Sequence, residues 1–162
     1  MSIDPRLMAV QESVEVECSV AEAFSFFTTR MGEWWPLDNA SYGGDRAKDI
    51  FLEPHVGGRF FERFIDGDEL QVGSVIVCDP PHRIVFTWHT ADWAGQTEVE
   101  VTFSPFAEGT RVDLEHRGFE RIGPLGPDVA DKFRGGWPSV MGAFTSKVGQ
   151  RPDEGGQESP ER

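Results

Sequence analysis

The chain of 162 residues has the length of one domain, with enough material for a core and for a cavity inside it. Its 15 basic and 28 acidic residues leave a net charge of −13, a surface that repels phosphate backbones and anionic lipid and weighs against nucleic-acid and membrane partners. Thirteen Phe and five Trp against a single Tyr favour a deep apolar interior over a Tyr-rich contact surface.

Residues 1–7 read as a loose lead-in, without an apolar run long enough for a signal peptide. Over residues 10–18, Val10, Val14, Val16 and Cys18 share one face, and Gln11, Ser13, Glu15 and Glu17 the other, as in a half-buried strand. "SVAE" then supplies a capping box, with Ser19 as N-cap and Glu22 three residues on. Val20, Ala23, Phe24, Phe27 and Met31 recur at helical spacing, which predicts a helix over residues 20–30. "MGEWWPLDNASYGGD" breaks it at Gly32 and Pro36 and leaves two adjacent tryptophans in a bent segment.

Six strand-like runs follow, at residues 48–52, 58–64, 70–78, 83–89, 97–104 and 110–117. Turn chemistry separates them ("DGDE", "DPPH", "DWAG", "AEGT"), and such short links imply antiparallel neighbours. Val99, Val101 and Phe103 face one way and Glu98, Glu100 and Thr102 the other, so one face of the sheet is wet and one covered. The cover comes from residues 128–148, where Phe133, Trp137, Met141, Phe144 and Val148 keep helical spacing. Pro138, inside that pattern, predicts a kink or a restart. Residues 149–162 are polar and rich in Pro and Gly, as in a disordered tail. Cys18 and Cys78, isolated in apolar surroundings, read as buried thiols.

Chemistry-bearing residues are few. None of His55, His82, His89 and His116 lies two, three or four residues from another, so no zinc pair is encoded locally and no metal is expected. Phosphate-loop, dinucleotide and nucleophile-elbow motifs are absent, and no cofactor is expected. His55 and His82 fall in loops and His89 on an outward face. His116 alone falls on the covered face, either as a satisfied core histidine or as a ligand contact. In "PHVGGRFFERF", Phe60, Glu62 and Phe64 share one strand face and Phe61, Arg63 and Ile65 the other. The first set, with fewer charges, is expected inward unless a bulge reverses the phase. A buried Glu62 then needs a partner, such as His116, a water or a ligand group.

The order strand, helix, bent segment, six strands and long helix resembles the helix-grip arrangement of START-like domains, the SRPBCC superfamily. "SVAEAFSFFT", "WW", "LEPHVGGRFFE", "DPPHRIVFTW", "TEVEVTFSPFAEGTRVDLEHRGFER" and "GGWPSVMGAF" resemble the branch named after the ATPase activator of the heat-shock chaperone. The likeness spans residues 10–148 and implies one α+β domain over residues 8–148. A seven-stranded antiparallel sheet would curl around the C-terminal helix and leave an apolar cavity. Relatives often carry a Trp before the glycine of the fourth strand, where Val72 stands here before Gly73. The eukaryotic activator has a separate chaperone-binding domain, for which these residues leave no room.

The resemblance implies a pocket of roughly 300–1,000 Å³. Its expected lining is Phe24, Phe27, Trp35, Phe60, Phe64, Phe86, Trp88, Phe103, Leu114, Trp137, Met141 and Phe144, with Glu62 and His116 as polar contacts. Trp35 and Trp88 would each offer it apolar surface and one donor. The favoured expectation is non-catalytic binding of a small hydrophobic or amphipathic molecule, such as a lipid, in a soluble cytoplasmic protein. Two other classes stay open: a cyclase or aromatase using Glu62 and His116 as acid and base, and a chaperone-regulating interaction module acting in stress response. A homodimer also stays open.

Overall fold

The computed structural model describes residues 4–148, and the expected tail lies outside the described residues. Strand β1 (Val10–Val16) buries Val10 and Val16 and exposes Gln11, Ser13 and Glu15. Helix α1 (Val20–Phe27) opens on Ser19, whose hydroxyl accepts from the Glu22 amide at 3.0 Å. It stops at Phe27, short of the expected residue 30. The Thr28 hydroxyl donates to the Phe24 carbonyl at 2.8 Å, and a 3-10 turn at Met31–Glu33 follows.

The remaining strands are β2 (Ala47–Leu52), β3 (Arg59–Phe64), β4 (Glu69–Asp79), β5 (Arg83–Trp88), β6 (Thr97–Phe106) and β7 (Gly109–Arg117). They form one antiparallel seven-stranded sheet in the order β1-β7-β6-β5-β4-β3-β2. Register shifts between Ala47 and Asp49, Phe60 and Phe61, and Val75 and Val77 concentrate the irregularities in the half from β2 to β5. Such bulges increase bend and twist, as a curled sheet requires. At Gly73 a Cβ would stand 1.7 Å from the Thr87 carbonyl oxygen, so only glycine lets β4 approach β5 there.

Helix α2 (Gly126–Val148) covers the concave face with Ala130, Trp137, Val140, Met141, Phe144 and Val148. It runs as one helix through Pro138, contrary to the expected restart. Pro138 and Arg134 are both exposed, so the missing hydrogen bond falls on the water side of the helix. The expected loose lead-in is anchored from residue 4 onward. Pro5–Leu7 forms a 3-10 turn, the Arg6 guanidinium pairs with Asp128 and Asp131, and Arg134 donates to the carbonyls of Arg6 and Met8.

Between sheet and helix the space divides in two. One half is filled by Phe24, Phe27, Trp34, Phe103 and Phe144, with ring centroids 5.1–5.8 Å apart. The Trp34 indole donates to the Phe26 carbonyl at 2.9 Å. Two expectations about exposure need correction. Phe61, placed on the wet face, is buried there beneath the Arg59 guanidinium (3.8 Å to the ring) and stacked on Phe51. Cys18 and Cys78, expected buried, are half-buried.

Candidate functional site

The other half of that space is hollow. A cavity of about 200 Å³ lies between β3, β5 and α2, under the segment linking the first 3-10 turn after α1 to β2. Its walls are Trp35, Phe60, Val72, Trp88, Phe133, Trp137 and Val140, with Asn39, Ser41, Tyr42, Glu62 and Lys132 as polar members. It is smaller than expected because three indoles occupy much of the room.

Alternation along β3 sends Phe60 and Glu62 inward, and Glu62 is 2% exposed. Its partners are two consecutive backbone amides. Tyr42 N–H donates to Oε2 at 2.8 Å and Gly43 N–H to Oε1 at 3.1 Å. Gly43 is required by close approach, since a Cβ there would meet the Phe64 ring at 2.7 Å. Each carboxylate oxygen keeps capacity for a further donor.

Tyr42 closes one side. The Trp88 indole donates to its hydroxyl oxygen at 2.8 Å, which leaves the hydroxyl proton free to donate. Burial pushes this hydroxyl above the usual tyrosine range, outweighing the Trp88 bond, so it stays protonated at neutral pH. The donors expected from Trp35 and Trp88 are spent inside the protein, on the Ala40 carbonyl and on Tyr42.

His116 faces inward but does not line the cavity. Trp137 Nε1 donates to its Nδ1 at 3.0 Å, so Nε2 carries the proton and donates to Thr97 Oγ1 at 2.8 Å. Thr97 in turn donates to the Trp88 carbonyl at 3.0 Å. With Phe119 and Phe133 rings within 4.7 Å, burial pulls its pKa down to about 3. Both ring nitrogens are committed to protein partners. His116 is a satisfied core histidine, and its hydrogen bonds go to Trp137 and Thr97 while those of Glu62 go to the Tyr42 and Gly43 amides.

Of the expected lining, Trp35, Phe60, Glu62, Trp88 and Trp137 border the cavity. Phe24, Phe27, Phe86, Phe103, Leu114, Met141 and Phe144 are buried in the packed core instead, because alternation reports burial and not which side chains meet a void. Phe64 is half-buried beneath Arg46, away from the cavity. The sequence reading missed Asn39, Ala40, Ser41, Tyr42, Ile50, Val72, Lys132, Phe133, Gly136 and Val140. Tyr42 carried one signal, as the only tyrosine of the chain, and Phe133 another, one turn before Trp137. His55, His82 and His89 are exposed, as expected. Among the described residues, no cluster of His, Cys, Asp and Glu could hold a metal, and no helix is long and apolar enough to cross a membrane.

A curled seven-stranded sheet gripping a long C-terminal helix over a cavity defines a helix-grip, START-like domain. The chain belongs to the family described as activator of Hsp90 ATPase homolog 1-like protein, which matches residues 17–149. No curated protein matches it at a significant level. Among solved structures, protein MLL2253 from Mesorhizobium loti is 21% identical with a TM-score of 0.67, over 90% of this chain and 99% of that one. The anthrahydroquino-gamma-pyrone synthase Txn09, complexed with SUM, is 33% identical with a TM-score of 0.59, also over 90% of this chain and 99% of that one. DynU16, from the dynemicin biosynthetic locus, is 19% identical with a TM-score of 0.63, over 88% of this chain and 47% of that one.

Proposed function

We propose that the chain binds a small, flat, mostly apolar molecule that presents a hydroxyl or similar donor to Glu62. The observation that carries this is a buried carboxylate in an aromatic-walled cavity, positioned by two backbone amides and with acceptor capacity to spare. Indole and phenyl walls suit an aromatic guest, through offset and edge contacts. An accessible cavity favours this reading over an interaction module with a filled interior. Titration with 2-naphthol, followed by tryptophan emission, should give saturable binding. Glu62→Gln should weaken it roughly tenfold or more, the loss of a hydrogen bond to a charged acceptor. Equal binding by both proteins would remove Glu62 from the site, and no binding by either would remove the pocket.

A second reading is favoured by the synthase that is 33% identical over nearly the whole of both chains. With His116 committed elsewhere, acid/base work falls to Glu62 and Tyr42. Glu62 would take the enol proton of a 1,3,5-triketone as the enol oxygen attacks the distant carbonyl, whose oxygen Tyr42 hydrogen-bonds. Closure to a γ-pyrone then releases one water. Incubation with an aryl 1,3,5-triketone should give the dehydrated ring faster than buffer does, and Tyr42→Phe should slow it. A rate equal to buffer would leave binding alone.

A further inference from the structure

The cavity does not end at Tyr42. An open groove of about 750 Å³ adjoins it and shares Tyr42, Val72, Lys132 and Phe133 with it. Its floor is apolar, from Leu70, Trp93, Leu125 and Val129. Leu70 and Leu125 are 39% and 46% exposed, more than isolated core-edge leucines need.

The charged groups of the groove are engaged, with one exception. The carboxylate of Asp128 pairs with Arg6, that of Asp92 accepts from Thr90, and His89 Nε2 meets the Trp93 carbonyl. Lys132 makes no ion pair or hydrogen bond among the described residues, although Asp128 stands one helical turn before it. Lys132 thus borders both cavity and groove without a partner among the described residues, in a protein whose net charge is −13.

We infer that the site is bipartite and takes an elongated aromatic acid: the hydroxylated end enters the cavity toward Glu62, and a carboxylate or equivalent anion lies at the mouth on Lys132. This rests on the binding reading above and adds the polarity and direction of the guest. The −13 surface disfavours anions at long range, so a preference for one has to arise at short range, from Lys132.

The test compares 2-naphthol with 6-hydroxy-2-naphthoate, which adds a carboxylate at the far end of the same ring pair. On the natural chain the acid should bind roughly three- to tenfold tighter, the range of a charge-assisted hydrogen bond at a partly exposed site. Lys132→Gln should abolish that advantage, so that the two probes bind that variant equally, and Lys132→Arg should retain it. Lys48→Gln, on β2 and outside both spaces, should change neither. Equal affinity for the two probes, or an advantage that survives Lys132→Gln, overturns the bipartite site and leaves the cavity reading intact. Failure of both probes on the natural chain overturns the cavity reading and this inference together.

Discussion

His116 links the site's wall to the pH dependence of folding. Its folded pKa of about 3 lies below the ordinary 6.5, and the cause is burial. Between those values the unfolded chain holds a proton that the folded chain excludes. Stability is therefore complete above about pH 6.5 and is lost as pH falls toward 3, by at most about 1.4 kcal/mol per pH unit. Glu33 and Glu100, held low by Arg30 and Arg83, act in the same direction but only below their ordinary 4.5. The interval from 4.5 to 6.5 thus lies above their range. Urea unfolding at pH 7, 6 and 5 should show stability falling in the natural chain and much less in His116→Gln. That variant should be weaker at pH 7, by about 1–3 kcal/mol, because Gln cannot satisfy both Trp137 and Thr97 with the same geometry. Parallel slopes in the two proteins would place the acid sensitivity elsewhere.

At the scale of the element, α2 both closes the core and gates the cavity. Its buried stripe at Trp137, Met141 and Phe144 is continuous, while Gly135 and Gly136 leave open space where a side chain would stand. Gly136 borders the cavity and Gly135 does not. Glycine inside a helix costs about 0.5–1 kcal/mol relative to alanine, so Gly136→Ala should raise stability by about that amount. Gly136→Leu should fold as well as Gly135→Leu yet bind 2-naphthol at least tenfold more weakly, because its side chain stands in the mouth. Thermal melts and the fluorescence titration read the two effects separately. Equal binding by the two leucine variants would place the mouth elsewhere.

For the whole molecule, legibility in the sequence followed burial. Strands from β2 to β7 fall within two residues of their expected bounds, since turn chemistry marks their ends and β6 and β7 alternate apolar and polar side chains against one covered face. The inward turn of Glu62 and His116 was readable for the same reason. Helix α1 ends at Phe27 with Thr28 as its C-cap, whose amide and hydroxyl both donate to the Phe24 carbonyl, an arrangement that spacing does not record. The Arg6 anchor joins residues more than a hundred positions apart, and no local pattern announces it.

The amino-acid sequence by itself determined the order of elements and, for β6 and β7, which face meets the core, because periodicity in a chain directly encodes one-sided burial; the curl of the sheet over the last helix was what the family resemblance implied. Tertiary structure alone decided where that interior is packed and where it is hollow. It also decided that Glu62 is held by the amides of Tyr42 and Gly43, and that His116 is spent between Trp137 and Thr97. Backbone amides carry no sequence signature, and the indole that occupies His116 comes from a different element 21 residues away. Partnership between distant groups is set by three-dimensional packing, and so is the chemistry left available to each.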